Sequence, residues 1–341
     1  MTLPYLSIDG PPPASFRLHR NLTEVKPPKP VSDLLPMFTL AHLSDLHLAP
    51  IPRPSLRELA TKRFFGHLSW RGRRRHIHCR HVVDLMAEDI RRHTPDHVAL
   101  TGDLVNLALR REFDNAAQWL KRFGPPEWIS VVPGNHDAYV SAPYDEGVGL
   151  WADYMRGDLA LESLPEQGRF PFVRVRRNIA LIGLSTAAPT APFIASGRLG
   201  SVQTDALGKI LSILRERGFF RIILIHHPPA PGMNPKRRGL VDAKRLAAIV
   251  EQDGVELIVH GHTHRGSVKQ LRSRYGRVHV VGVPSASAVA HGGRPGAAWN
   301  RYIIRRGKGL WRCTMSTRTY DETNDRFVAG ESVEFDLSTR Q

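Results

Sequence analysis

Short apolar runs recur along this 341-residue chain, and most of them stop at a cluster of polar, chemistry-bearing side chains. Phe38 to Ser44, His97 to Thr101, Ile129 to Val132, Arg221 to Ile225 and Val255 to Val259 are short and rich in β-branched and aliphatic residues, which predicts buried strands. Between them the period changes. Val82, Leu85, Met86 and Ile90 share one helical face, and residues 113–123, 202–217 and 241–251 also predict helices. Gly124-Pro125-Pro126 and Gly218 supply the stops. Strand and helix in alternation are the grammar of a parallel sheet whose site forms beyond the carboxyl ends of its strands. Phe172 to Arg176 and Ile179 to Leu184 predict a strand pair about the turn Arg177-Asn178, and hairpin-like segments are expected around residues 268–271, 278–283 and 302–314.

The polar strand ends are spread from Asp45 to His264 and need one another, so a single domain over residues 37–330 is expected. Residues 1–36 contain Pro11-Pro12-Pro13 and Pro27-Pro28-Lys29-Pro30 without periodicity, predicting an extended or disordered leader. Residues 331–341 read as a frayed tail. Residues 51–80 form an insert in which Arg53, Arg57, Lys62, Arg63, Arg71, Arg73, Arg74, Arg75 and Arg80 are interleaved with Leu56, Leu59, Phe64, Phe65, Leu68 and Trp70. Two readings stay open for it: a solvated basic helix with its apolar face on the core, or a surface for anionic lipid or a phosphorylated substrate.

The formal net charge of +16 and the sequence pI of about 10.5 favour anionic partners, whether phosphorylated metabolites, nucleic acid or lipid headgroups. Cys79 and Cys313 lie far apart and outside any CxxC pattern, which argues against a disulfide framework or a thiolate zinc site. Neither a membrane-length apolar run nor an amino-terminal h-region is present, so the expectation is a soluble, cytoplasmic protein, at most peripheral to the membrane.

Asp45-Leu46-His47 follows the first predicted strand, and the i, i+2 spacing puts both side chains on one side of an extended backbone. Gly102-Asp103-Leu104-Val105-Asn106 follows the second, and Pro133-Gly134-Asn135-His136-Asp137 the third. His226-His227-Pro228-Pro229 and His260-Gly261-His262-Thr263-His264 end two more. Asp45, His47, Asp103, Asn135, His226, His262 and His264 are hard to explain as packing, because each would bury polar atoms that need a partner. A pair of divalent ions would satisfy them, and a set of carboxylates, imidazoles and one amide suits iron, manganese or zinc better than calcium.

In this order the blocks DxH, GDxxN, GNHD, a strand-end histidine and GHxH resemble the motif set of the calcineurin-like metallophosphoesterases, over roughly residues 38 to 285. The GNHD and HHPP blocks are most similar to the cyclic-nucleotide phosphodiesterase branch. The resemblance implies an α/β fold, a four-layer α-β-β-α sandwich of two mixed β-sheets flanked by helices, with a dinuclear metal site at the strand ends. It assigns Asp45, His47, Asp103 and His264 to one ion and Asp103, Asn135, His226 and His262 to the other. It implies in-line attack on phosphorus by a metal-bridging hydroxide, with His136 protonating the leaving oxygen or stabilising the charged transition state and Asp137 orienting it. Asp137 also reads as a capping or turn residue. His42 and His260 are expected to support ligands or the core, His227 to face away from the metals, and His76, His78, His81 and His93 to be surface or helix residues. Asn106 departs from the aspartate often found there. The expected reaction is phosphodiester hydrolysis of a small-molecule phosphoester; a lipid-linked phosphodiester or pyrophosphate at a membrane surface, and a nucleic-acid-binding protein or nuclease, are the alternatives.

Overall fold

Two six-stranded sheets face one another in the computed structural model, which describes residues 20–21, 37–160, 170–307 and 310–337. The amino-terminal half supplies β1 (Arg20–Asn21), β2 (Met37–Leu43), α1 (Leu56–Leu59), α2 (Arg63–Gly72), α3 (Arg80–Arg92), β3 (His97–Leu100), α4 (Arg110–Phe123) and β4 (Ile129–Val131). The middle supplies β5 (Leu159–Ala160), β6 (Phe172–Arg176), β7 (Ile179–Gly183), α5 (Gly200–Glu216), β8 (Phe220–Ile225), α6 (Ala243–Asp253) and β9 (Leu257–His260). The rest is β10 (Ser267–Ser273), β11 (Gly276–Gly282), β12 (Ala298–Gly307), β13 (Leu310–Asp321) and β14 (Arg326–Leu337).

The first sheet has the order β14-β13-β12-β2-β3-β4, and the second β10-β11-β9-β8-β7-β6. Both are mixed. β2, β3 and β4 run parallel, as do β7, β8, β9 and β11, and the outer strands pair antiparallel. A strand presents alternate residues to opposite faces, and the cores follow that period of two. Ile222 and Leu224 of β8 and Leu257 and Val259 of β9 join the core between the sheets. Ile223, Ile225 and Ile258 turn the other way, against Leu207, Ile210, Leu211 and Leu214 of α5 and Leu246 and Val250 of α6. The apolar faces of α3 and α4 join the core that includes the first sheet. The four-layer order expected from the motifs is the one observed.

One expectation about the fold changes. The tail begins later than residue 331: β14 continues to Leu337, paired with β13 over Trp311 to Asp321, because Phe327, Phe335 and Leu337 are buried. Residues 331–334 are exposed, and the polar Glu331, Ser332 and Glu334 among them read as a frayed end. The leader, residues 1–36, lies outside the described residues except for Arg20–Asn21, which pair in parallel with β5. The insert 51–80 folds as α1, α2 and a 3-10 turn over Arg74–His76. Among the described residues no helix is long and apolar enough to cross a membrane.

Candidate metal centre

The loops after β2 and β3 run side by side, since Asp45 N–H donates to the Gly102 carbonyl and His47 N–H to the Asp103 carbonyl, both at 2.9 Å. The loop after β4 closes on them. A methyl at Gly134 would collide with the Asp103 side chain and backbone and with the His226 ring, so only glycine permits this approach. Asp45, His47, Asp103, His262 and His264 all have left-handed backbones, with φ of 56, 41, 56, 69 and 54°. Asp45 and His47 therefore meet through a left-handed turn and not through the extended backbone that their spacing suggested. Non-glycine residues resist this region, and such strain persists where the surrounding structure holds it for a function.

Asp103 occupies the middle of the group: its Oδ2 lies 3.4 Å from His226 Nε2 and 3.8 Å from His47 Nε2. On one side Asp45 Oδ1 is 3.1 Å from His264 Nε2, and the His47 and His264 Nε2 atoms are 3.3 Å apart. Ligand atoms of Asp45, His47, Asp103 and His264 all lie within 4.8 Å of one another. On the other side Asn135 Oδ1 is 3.2 Å from His226 Nε2, and the His262 ring stands 5.2 Å from that of His226. His262 Nε2 is turned away, 2.8 Å from the Arg238 carbonyl.

The donor set fits divalent transition ions. Asp45 Oδ1 is buried and accepts no hydrogen bond. His226 Nδ1 lies 2.6 Å from the Thr101 carbonyl and His47 Nδ1 3.2 Å from that of Val105, so each ring places its proton there and keeps the Nε2 lone pair for the shared space. Buried lone pairs aimed at one another repel unless a cation lies between them. Burial works to raise the Asp45 carboxyl, but His264 and His226 hold it well below the usual carboxylate range. Burial likewise works to lower His226, and the Asp103 and Asp45 charges raise it instead to about 9. Without an ion, Nε2 therefore carries a proton toward Asp103, and a bound cation would replace that proton. Burial pushes His262 down to about 3.

His136 and Asp137 have separate surroundings. His136 N–H donates to Asp103 Oδ1 at 2.7 Å, its Nδ1 faces the Asn106 carbonyl at 2.6 Å, and its ring stacks on Tyr139. Burial lowers its imidazole to about 4. The Asp137 carboxylate accepts from the backbone N–H groups of Gly134, Asp103, Leu104 and Val105 at 2.8 to 3.1 Å. It clamps two ligand loops, which matches the turn reading. The His136 ring itself is contacted by the Asn106 carbonyl and the Tyr139 ring. Burial and then the Asp103 charge raise the Asp137 carboxyl to about 7, against the four donated amide hydrogens.

Two site residues lack any motif. Arg74, delivered by the 3-10 turn of the insert, places its Nη2 3.2 Å from His47 Nδ1 and 3.1 Å from Asn106 Oδ1. With the His47 proton on Nδ1, that N–H serves Val105 and the arginine serves Asn106. His78, expected at the surface, is buried: its Nδ1 faces Ser287 Oγ at 2.8 Å, it stacks on Trp70, and its ring lies 4.5 Å from that of His47. The density of arginines drew attention to this stretch, but nothing in its spacing separates Arg74 from Arg73 and Arg75. His42 is held by Thr101, and His227 by Thr186 and the Ala195 carbonyl. His76 and His81 are exposed, as expected.

A search of curated proteins finds no match. Among solved structures, a dimetal phosphatase from Danio rerio superposes with a TM-score of 0.53 at 13% identity, over 88% of this chain and 99% of the other. Purple acid phosphatase PPD1 from yellow lupin (Lupinus luteus) seeds gives 0.52 at 13% identity, over 90% of this chain and 55% of the other. At such identities the likeness is one of fold. The model of the calcineurin-like phosphoesterase family matches residues 38–266, which contain all the strand ends described above. A metal-dependent phosphoesterase fold, a converging set of metal-ligand types and that match together place the chain in the calcineurin-like phosphoesterase family.

Proposed function

We propose that this chain is a phosphodiesterase that uses two divalent transition ions, iron, manganese or zinc. The observation that carries the reading is Asp103, whose carboxylate lies between imidazoles brought from both sheets. Asp45, His47 and His264 would hold one ion with it, and Asn135, His226 and His262 the other. When bound, such ions polarise phosphoryl oxygens and make a coordinated water more acidic. His136 is fixed by the Asn106 carbonyl at Nδ1, which leaves Nε2 toward the leaving oxygen. Because burial keeps the free imidazole neutral, Nε2 would take up its proton when the negative charge of the bound phosphoryl group raises the ring, and then pass it to the leaving oxygen. Arg74 adds a guanidinium beside His47, where the negative charge of a bound phosphoryl group would be balanced. The GNHD and HHPP blocks support a diester over a monoester.

Protein reconstituted with each metal should be assayed on an aryl phosphodiester, cyclic nucleotides and a phosphomonoester. Asp103→Asn should abolish every activity, and His136→Ala should keep its metal while turnover falls by about 10²- to 10⁴-fold. Faster turnover of the monoester than of any diester would overturn the diester reading.

A further inference from the structure

The outer face of α2 carries side chains that the core does not use. Gly66 and Trp70 are buried on its inner face, whereas Phe64 and Phe65 are each 46% exposed and Leu68 52%. Phe193, 78% exposed, comes from the loop after β7 and meets Phe65 at 5.2 Å between ring centroids; Ile194 beside it is also exposed. Lys62 ties the two segments together by donating to the Thr190 carbonyl at 2.7 Å. Aromatic and aliphatic groups from two distant stretches therefore form one continuous apolar surface.

Arginines surround it. Arg57 precedes α2, and Arg71, Arg73 and Arg75 lie at its end, all exposed. On the other flank the Ala195 N–H donates to the Arg237 carbonyl at 2.8 Å, which brings exposed Lys236, Arg237 and Arg238 beside Phe193 and Ile194. Glu58 is the only acidic residue between positions 51 and 80. Apolar side chains ringed by cations match an anionic bilayer, whose acyl boundary takes the aromatics and whose headgroups take the charges. The same helix roofs the metal centre. Gly66 packs on Leu107 and on Tyr139, the residue stacked on His136, and Lys62 sits 4.4 Å above the Tyr139 ring.

We infer that the face formed by Phe64, Phe65, Leu68, Phe193 and Ile194 docks on an anionic lipid surface, beside the phosphoesterase site. The inference is independent of which ester is cleaved. The test is cosedimentation of the full chain with phosphatidylcholine vesicles, with and without phosphatidylglycerol, over a salt series. Binding should require phosphatidylglycerol and weaken with salt. The double substitution Phe64→Ser/Phe65→Ser should weaken it by about tenfold or more, while circular dichroism and hydrolysis of a soluble aryl phosphodiester stay unchanged. Phe193→Ser, on the separate loop, should weaken it in the same direction. Equal binding to vesicles lacking phosphatidylglycerol, no binding at low salt, or undiminished binding by these variants would overturn the inference. So would self-association abolished by the same substitutions, which would make the face a dimer contact, or a duplex oligonucleotide whose binding depends on Phe64 and Phe65.

Discussion

Replacing Asp137 by asparagine tests whether this carboxylate holds the ligand loops or acts on His136. The two carboxylate oxygens accept four buried backbone N–H groups, two each. Asparagine keeps one acceptor and turns an NH2 toward the other pair, either Asp103 and Gly134 or Leu104 and Val105. Two buried donors then lose their acceptor, at about 1–3 kcal/mol each. Relief of the repulsion between Asp137 and Asp103 returns part of this. The net loss should be about 2–4 kcal/mol, a large share of a stability of order 5–15 kcal/mol. The loosened peptides carry Asp103 and adjoin Asn135, so metal affinity should fall by about 10- to 100-fold, as when groups supporting metal ligands are removed. Urea unfolding of the metal-free protein and competition with a chromophoric chelator would measure the two effects. A variant with the original unfolding midpoint and metal affinity but turnover lost by orders of magnitude would refute the clamp and return Asp137 to the chemistry of His136.

Arg74→Met should raise KM by about 10- to 100-fold, the worth of one charge-assisted hydrogen bond, while metal affinity measured by chelator competition holds or improves. Gly134→Ala should cost about 1–3 kcal/mol in a urea melt, because the new methyl meets Asp103 and the His226 ring, and should reduce metal content. His97, far from the metals and held by Ser130 at 2.8 Å, is kept neutral by burial well below its usual value. Its stabilising contribution is therefore complete above the unfolded pKa of about 6.5 and is lost as pH falls toward the folded value, at up to about 1.4 kcal/mol per pH unit. His97→Gln should flatten the pH dependence of urea stability below that point; an unchanged slope would count against the account.

The ligand set was legible because its chemistry is local. A short apolar run must be buried, and the polar residues directly after it must emerge at one sheet edge, so Asp45, Asp103, Asn135, His226 and His262 could be placed near one another without coordinates. The alternation of strand and helix predicts a parallel sheet with its site beyond the strand ends, whereas the division into two mixed sheets was implied only by the resemblance to the family. Some of the chain resisted that logic. β14 hides its pattern because, among its described side chains, only Phe327, Phe335 and Leu337 are well buried, on an edge strand with a long exposed run at residues 329–334.

What sequence alone determined is therefore the order of the strands, the groups at their ends and the family to which those groups point, all consequences of periodicity and short-range spacing. Tertiary structure decided which arginine of a dense run enters the site, that His78 lies against His47, and that Asp137 grips four peptide N–H groups. Each of these is a contact between segments remote in the chain, or with a backbone that carries no side-chain signature. Spacing constrains neither: a side chain's partner across space depends on how the insert folds over the strand ends, and every peptide N–H looks the same in sequence.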